Sequence, residues 1–103
     1  MKRIYISGPM TGLPNFNAPA FNAEAARLKA MGFDVVNPVD INPGTTATWH
    51  ECMRRDIAAL VTCDTIALLP GWEHSNGANL ELHIASRVGM HIVHTQEIEA
   101  TPA

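Results

Sequence analysis

The chain has 103 residues, 47% of them hydrophobic, which matches a single globular domain and excludes a disordered chain or a multidomain protein. Seven Lys and Arg residues against ten Asp and Glu residues give a net charge of -3, which argues against nucleic-acid binding through bulk positive charge. No segment approaches the roughly 18 apolar residues of a membrane span, and the apolar run after Met1 is too short for a signal peptide. We therefore expect a cytoplasmic protein that does not enter a membrane.

The first strand and the first helix have clear boundaries in the sequence. Residues 2–7 alternate and then become apolar before Gly8, which predicts a buried strand that ends at a turn. Pro19 is typical of the first turn of a helix and Gly32 of the position after its end, so we expect a helix over residues 18–31. Its apolar face is predicted to contain Phe21, Ala25, Ala26 and Leu28.

A second strand and a second helix follow. Residues 33–36 are rich in β-branched side chains and predict a short strand. After a loop over residues 40–46, Thr48 and Glu51 form a capping box that begins a helix, which is expected to end near Cys63. The buried stripe of this helix is predicted to consist of Trp49, Met53, Ile57, Leu60 and Val61.

The last third of the chain repeats this order. Residues 64–69 predict a third strand, Ser75 begins a third helix and Gly89 ends it, and residues 90–94 predict a fourth strand. The apolar positions of the third helix are predicted to include Leu80, Ile84 and Val88. Residues 96–103 are interpreted as a polar tail of low order.

Alternation of strands and helices over residues 1–95 predicts one domain of the α/β class, with a parallel sheet covered by helices on both faces. The expected architecture is a doubly wound, flavodoxin-like or Rossmann-like sheet of about four strands in the order 2-1-3-4. Ligands of such sheets bind beyond the carboxyl ends of the strands. Three segments meet this condition, namely residues 8–17, 38–48 and 70–77.

Two carboxylates are candidates for chemistry at that edge. Glu81 lies six residues after the helix cap Ser75, and because helical side chains tilt toward the amino terminus, it is expected to lean toward the crevice. Asp56 in the second helix would supply a second carboxylate, and glycosyl transfer requires such a pair. The alternatives are that Glu81 is a solvated glutamate, that Asp56 lies on the surface and that Ser75 only caps its helix.

The turn after the first strand suits a phosphate or a ribose, because its glycine amides can approach an anion closely. It lacks the Gly-Lys-Ser/Thr ending of a nucleotide triphosphate loop and the three-glycine spacing of a dinucleotide fingerprint, and a simple glycine turn is the alternative. The histidines and cysteines show none of the paired spacings of a zinc site, and we expect no metal; these residues are His50, Cys52, Cys63, His83, His91 and His94.

Together these residues resemble the nucleoside 2-deoxyribosyltransferase family. The resemblance depends on Tyr5 before the glycine-rich turn, Asp56 within Arg54-Arg55-Asp56-Ile57, the strand that begins at Cys63, and Ser75 followed by Glu81 and then Ala85. It covers nearly the whole chain in the right order. Ser75 is similar to the serine that holds phosphate in deoxynucleoside monophosphate N-glycosidases, whereas the transferases carry an aspartate there. The stretches at 6–12 and 69–72 most resemble small, mostly uncharacterised phage and bacterial members.

The resemblance implies an N-glycosidase or 2-deoxyribosyltransferase that acts on nucleosides or nucleoside 5′-monophosphates. Glu81 would be the nucleophile that forms a covalent glycosyl-enzyme, Asp56 would orient the base or help protonate it, and Tyr5 would position Glu81. The implied substrate-binding residues are Gly8, Pro9, Met10, Thr11, Gly12, Trp72, Ser75, Asn76 and Gly77.

The resemblance also implies that no cofactor is needed and that the protein forms a homodimer or a higher homo-oligomer. The chain is shorter than the catalytic relatives by about one strand and one helix, and those relatives complete their pocket with a residue of a partner subunit. Two other hypotheses stay open at this point. One is a nucleotide-binding or sensing module without catalysis, and the other is a structural role in an assembly.

Overall fold

A parallel sheet of four strands lies at the centre of the structure, a computed structural model that describes residues 1–42 and 47–98. The strands are β1 (Arg3–Ser7), β2 (Asp34–Val36), β3 (Thr65–Leu68) and β4 (His91–His94). The helices are α1 (Ala18–Ala30), α2 (Pro38–Ile41), α3 (Trp49–Leu60) and α4 (Asn76–Arg87). The strand order is β2-β1-β3-β4 with every pair parallel, so the predicted α/β class and strand order are confirmed.

Two apolar layers cover the sheet, one on each face. Because side chains alternate along a strand, Ile4 and Ile6 of β1 pack on the side of α1, whereas Tyr5 packs on the side of α3 and α4. Leu60 of α3 and Ala85 of α4 complete the second layer. Among the described residues, no helix is both long and apolar enough to cross a membrane.

The buried faces of α3 and α4 differ from the prediction. In α3 the buried residues are Met53, Asp56 and Leu60, while Trp49 and Val61 are exposed and Ile57 is half-buried. In α4 the buried residues are Ala78, Glu81 and Ala85, while Leu80 and Val88 are exposed and Ile84 is half-buried. A rule that counts apolar side chains cannot place a carboxylate at the centre of a buried face. The predicted stripe of α3 is therefore confirmed at Met53 and Leu60 and wrong at Trp49 and Val61, and the apolar positions predicted for α4 leave out the buried Glu81.

Helix α1 is close to the prediction. It buries Phe21, Ala25 and Leu28, whereas Ala26 is exposed, contrary to expectation. Positions 21, 25 and 28 follow the i, i+4, i+7 spacing of one helical face, and residue 26 lies about 100° away from residue 25.

The segment after β2 contains a helix that was not predicted. Asn37 caps α2, since its side chain accepts a hydrogen bond from the backbone nitrogen of Val39 at 3.1 Å. The predicted loop over residues 40–46 is therefore wrong at Asp40 and Ile41, which belong to α2, and residues 43–46 lie outside the described residues.

The end of the described chain packs against the domain. Thr95–Glu97 form a 3-10 turn, and Ile98 lies in the core on the α1 side at 4% exposure. The Arg27 guanidinium of α1 donates hydrogen bonds to the carbonyl oxygens of Thr95 and Ile98 at 2.9 and 2.7 Å. Residues 96–98 of the predicted polar tail are thus held in place, and residues 99–103 lie outside the described residues.

Gly8 allows the ends of β1 and β3 to approach each other closely. A Cβ atom at residue 8 would lie 2.7 Å from Cβ of Leu69, which is shorter than real Cβ contacts. Both residues are buried, so neither backbone can move away without disturbing the sheet. At this position glycine is required by packing rather than by a positive φ.

We expect Gly8→Ala to lower the free energy of unfolding by about 1–3 kcal/mol, because the added methyl overpacks the contact with Leu69. Urea denaturation of the two proteins measures the change. Gly77→Ala is the matched control, since its Cβ would meet the flexible thioether of Met53 at 3.2 Å and alanine favours the helix. Equal stability of Gly8→Ala and the unchanged protein would contradict the packing explanation.

Candidate active site

Glu81 is buried in the middle of the protein and is held by two hydroxyl groups of β1. Tyr5 Oη donates a hydrogen bond to Glu81 Oε2 at 2.6 Å, and Ser7 Oγ donates one to Glu81 Oε1 at 2.7 Å. The exposed fractions of Tyr5, Ser7 and Glu81 are 0%, 1% and 5%. Each carboxylate oxygen therefore has its own donor inside the core.

The local sequence explains why Glu81 points toward the sheet. Ser75 caps α4, its hydroxyl accepting a hydrogen bond from the backbone nitrogen of Ala78 at 3.2 Å. Ala78 and Ala85 lie on the same helical face as Glu81, and both are buried. These small side chains let the helix approach β1 and β3, so the longer glutamate reaches the hydroxyls of β1.

Burial raises the pKa of Glu81 to about 7. The hydrogen bonds from Tyr5 and Ser7 lower it, because they stabilise the charged form, and the negative charge of Asp56 raises it. Burial also raises the pKa of Tyr5 well above its ordinary value, as do the charges of Glu81 and Asp56. Tyr5 therefore stays a hydrogen-bond donor over the whole physiological range of pH.

Asp56 of α3 is the second buried carboxylate, at 7% exposure. Asn42 Nδ2, just after α2, donates a hydrogen bond to Asp56 Oδ1 at 2.8 Å, and Arg55 Nη1 donates one to Asn42 Oδ1 at 3.3 Å. Burial raises the pKa of Asp56 to about 6, while the Asn42 hydrogen bond and the Arg55 charge lower it. Two carboxyl groups thus have pKa values within about one pH unit of neutrality, and the charge of Asp56 raises that of Glu81.

The sequence model of one family matches this chain over residues 2–94, and its description is "Domain of unknown function (DUF4406)". The chain belongs to the DUF4406 family. No curated protein matches it in sequence.

The fold of this DUF4406 member is similar to that of a 2-deoxyribosyltransferase from Leishmania mexicana. The TM-score is 0.71 over 91% of this chain, with 22% sequence identity. The chain spans 63% of the length of that protein. The predicted resemblance to nucleoside 2-deoxyribosyltransferases is thereby confirmed for the fold.

A groove of about 480 Å³ lies between the loops that follow β1 and β3. Its lining residues are Pro9, Thr11, Leu13, Asn17, Ala20, Leu69, Pro70, Gly71 and His74. Ala20 belongs to α1 and Leu69 to the core on that side, whereas Glu81 and Asp56 do not line the groove. The groove and the two carboxylates therefore lie toward opposite faces of the sheet.

The substrate-binding residues predicted in the loop after β1 do not share one environment in the structure. Pro9 and Thr11 line the groove, and Met10 packs against the core on the α1 side. Gly8 contacts Leu69, as described above, and Gly12 is exposed with a φ of 82°. The structure does not bring these side chains into hydrogen-bond contact with Glu81.

The residues predicted from the second loop lie at the start of α4. Trp72 packs on the same side of the sheet as Tyr5, and Ser75 is occupied as the helix cap. Asn76 is exposed and Gly77 lies beside Met53. The roles of these residues in binding stay predictions.

Three polar residues of this region were not predicted. Ser7 follows Tyr5 by two positions, so the period of a strand places both on one face, and that signal was available in the sequence. Asn79 donates to the carbonyl oxygens of Glu73 and Ser75 at 3.0 and 2.8 Å and so fastens the loop before α4. Asn42 carries no comparable signal, because its contact with Asp56 depends on how α2 and α3 pack.

The stability of the protein is expected to fall as the pH rises from 5 to 8. The folded state holds the Glu81 proton more tightly than the unfolded chain does, since the pKa rises from 4.5 to about 7 on folding. The contribution of this proton to the free energy of unfolding is complete below pH 4.5. It decreases as the pH rises from 4.5 through 7, and the total loss is about 3 kcal/mol at most. Asp56 acts in the same direction, because its pKa rises from 3.8 to about 6.

Glu81→Gln should flatten this dependence, because glutamine does not titrate. Urea denaturation at several pH values between 5 and 8 measures the slope for the two proteins. Glu24→Gln is the matched control, since Glu24 is a half-buried glutamate of α1 on the other side of the sheet and pairs with Arg27. If Glu81→Gln and the unchanged protein lose stability with the same slope, Glu81 is not the titrating group.

Proposed function

We propose that this protein is an N-glycosidase or a 2-deoxyribosyltransferase that acts on nucleosides or nucleoside 5′-monophosphates through Glu81. The observation that carries the proposal is a buried glutamate with a hydrogen-bond donor on each oxygen and a second buried carboxyl group that influences its pKa. Buried carboxyl groups in structural sites are usually paired with a cation, and among the described residues Glu81 forms no ion pair. The likeness in fold to a 2-deoxyribosyltransferase supports the same reaction class.

In the first step of the proposed reaction, the Glu81 carboxylate attacks the anomeric carbon of the sugar. The glycosidic C–N bond breaks, and its electron pair leaves with the base nitrogen. Asp56, in its protonated form, supplies the proton that this nitrogen takes up. A covalent glycosyl ester of Glu81 and a free base result.

In the second step an acceptor attacks the same carbon, and the ester bond to Glu81 breaks. Asp56, now charged, takes the proton that the acceptor loses, so both carboxyl groups return to their starting forms. Water as the acceptor gives hydrolysis, and a second base gives transfer. The cycle requires Glu81 charged and Asp56 protonated. Because the pKa of Glu81, about 7, lies above that of Asp56, about 6, a single proton on the pair resides mainly on Glu81, so the reactive form is the minor one in which the proton has moved to Asp56.

Release of free base tests the proposal directly. The protein is incubated with deoxynucleosides and their 5′-monophosphates, with and without a second base, and the products are separated by chromatography. We expect base release that falls at least about a thousandfold in Glu81→Gln, because the nucleophile is removed. Glu24→Gln should keep the activity of the unchanged protein.

No base release from any substrate would overturn the enzymatic proposal. A nucleotide that raises the melting temperature without being consumed would instead favour a nucleotide-binding module. That second function is favoured by one observation, namely that the groove is lined by residues of the first loop and not by Glu81.

Ser75 is the residue proposed to distinguish a 5′-monophosphate from a free 5′-hydroxyl. Aspartate is as good a helix cap as serine, so Ser75→Asp should keep α4 intact while its charge repels a phosphate. We expect kcat/KM for the monophosphate to fall at least about tenfold relative to that for the nucleoside, measured by the same base-release assay. Ser75→Asn is the control, because it caps the helix without adding charge. An equal change for both substrates would show that Ser75 does not contact the phosphate.

A further inference from the structure

Ser7 is a buried hydroxyl that neither the sequence motifs nor the proposed reaction has given a role. It is the last residue of β1, and its Oγ donates a hydrogen bond to Glu81 Oε1 at 2.7 Å. A serine side chain is short, so Oε1 must lie beside the carboxyl end of β1. That end of β1 adjoins β3 across the switch point of the sheet, where ligands of doubly wound folds bind.

Tyr5 holds the other oxygen from two positions deeper in the same strand. Its ring spans the distance to Oε2, which it meets at 2.6 Å. The two oxygens of Glu81 are therefore not equivalent, because one is held by the residue at the edge of the sheet and the other by a residue within it.

We propose that Ser7 is a positioning residue that presents Glu81 Oε1 as the oxygen that forms and breaks the bond to the anomeric carbon. This inference rests on the proposed function. It assigns Oε2, held by Tyr5, to the carbonyl oxygen of the glycosyl ester.

The electron movement in each step shows where Ser7 matters. When Oε1 attacks, the pair of the C–N bond leaves with the base, which takes a proton from Asp56, and Oε1 loses its charge. When the acceptor attacks, the pair of the C–Oε1 bond returns to Oε1, and the proton of the acceptor passes to Asp56. A donor at Oε1 stabilises the charge that develops there, so Ser7 assists the breakdown of the ester more than its formation.

The surroundings of Glu81 make this hydrogen bond important. Within residues 1–42 and 47–98, no cation forms an ion pair or a hydrogen bond with Glu81. The titratable groups that influence it are Tyr5 from β1, a donor, and Asp56 from α3, whose charge opposes ionisation. Among the described residues, the hydrogen bonds of Tyr5 and Ser7 are the ones that lower the pKa of Glu81, so loss of Ser7 should raise it.

Four variants are used to separate the effect of the hydrogen bond from that of packing. Ser7→Ala removes the hydroxyl, and Ser7→Cys nearly keeps its volume but offers only a weak S–H donor. Ser86→Ala is the matched control, because the Ser86 hydroxyl is exposed on α4 and bonds only to the carbonyl oxygen of His83. Glu81→Gln identifies the Glu81 signal in the spectra.

The first measurement does not depend on activity. The carboxyl signal of ¹³C-labelled Glu81 is followed by NMR as the pH changes. We expect the midpoint to rise by about one pH unit in Ser7→Ala and in Ser7→Cys, and to stay unchanged in Ser86→Ala. An unchanged midpoint in Ser7→Ala, or a midpoint in Ser7→Cys equal to that of the unchanged protein, would overturn the positioning role.

The second measurement uses the deoxynucleoside or 5′-monophosphate that releases base in the assay above. In Ser7→Ala we expect kcat and KM to fall together, kcat by about tenfold, because the glycosyl-enzyme accumulates when its breakdown is slowed. Intact-protein mass spectrometry detects that ester. A fall in kcat with unchanged KM and no ester would overturn the assignment of Oε1. If the unchanged protein releases no base, the proposed function fails, and the NMR midpoints still decide whether Ser7 positions Glu81.

Discussion

A carboxylate that is removed from water destabilises a fold unless donors replace the water that it loses. In this protein that requirement falls on Glu81, and β1 meets it with the hydroxyls of Tyr5 and Ser7. The alternation of β1 provides both donors on one face while Ile4 and Ile6 fill the apolar layer on the other. One strand of five residues thus serves both the core and the candidate site.

The same constraint explains the two helices that cover this face. Asp56 and Glu81 each occupy the centre of a buried helical face, and in α4 the other buried positions are the small residues Ala78 and Ala85, which let the helix approach the sheet. Bulky residues such as Leu80 and Val88 are left exposed.

The order of strands and helices could be predicted from the sequence, because glycine and proline mark most boundaries and the apolar runs are clear. The Tyr5–Glu81 contact followed from a family resemblance, and the Ser7 contact could have followed from the period of a strand. The faces of α3 and α4 could not be predicted by counting apolar residues, since the buried carboxylates are stabilised by hydrogen bonds from another element. The contact of Asn42 with Asp56 could not be predicted, because the sequence analysis did not recognise α2 and Asp56 lies fourteen positions away on α3.

The contact between Arg27 and the carbonyl oxygens of Thr95 and Ile98 joins positions 68 and 71 residues apart in the chain. Terminal turns usually fray independently of the rest of a domain. Here the turn cannot open without releasing a guanidinium of the last turn of α1, so we expect its amide protons to exchange together with those of that helix. The last turn of the described chain is thus linked to an early helix, and we expect it to unfold with the domain rather than before it.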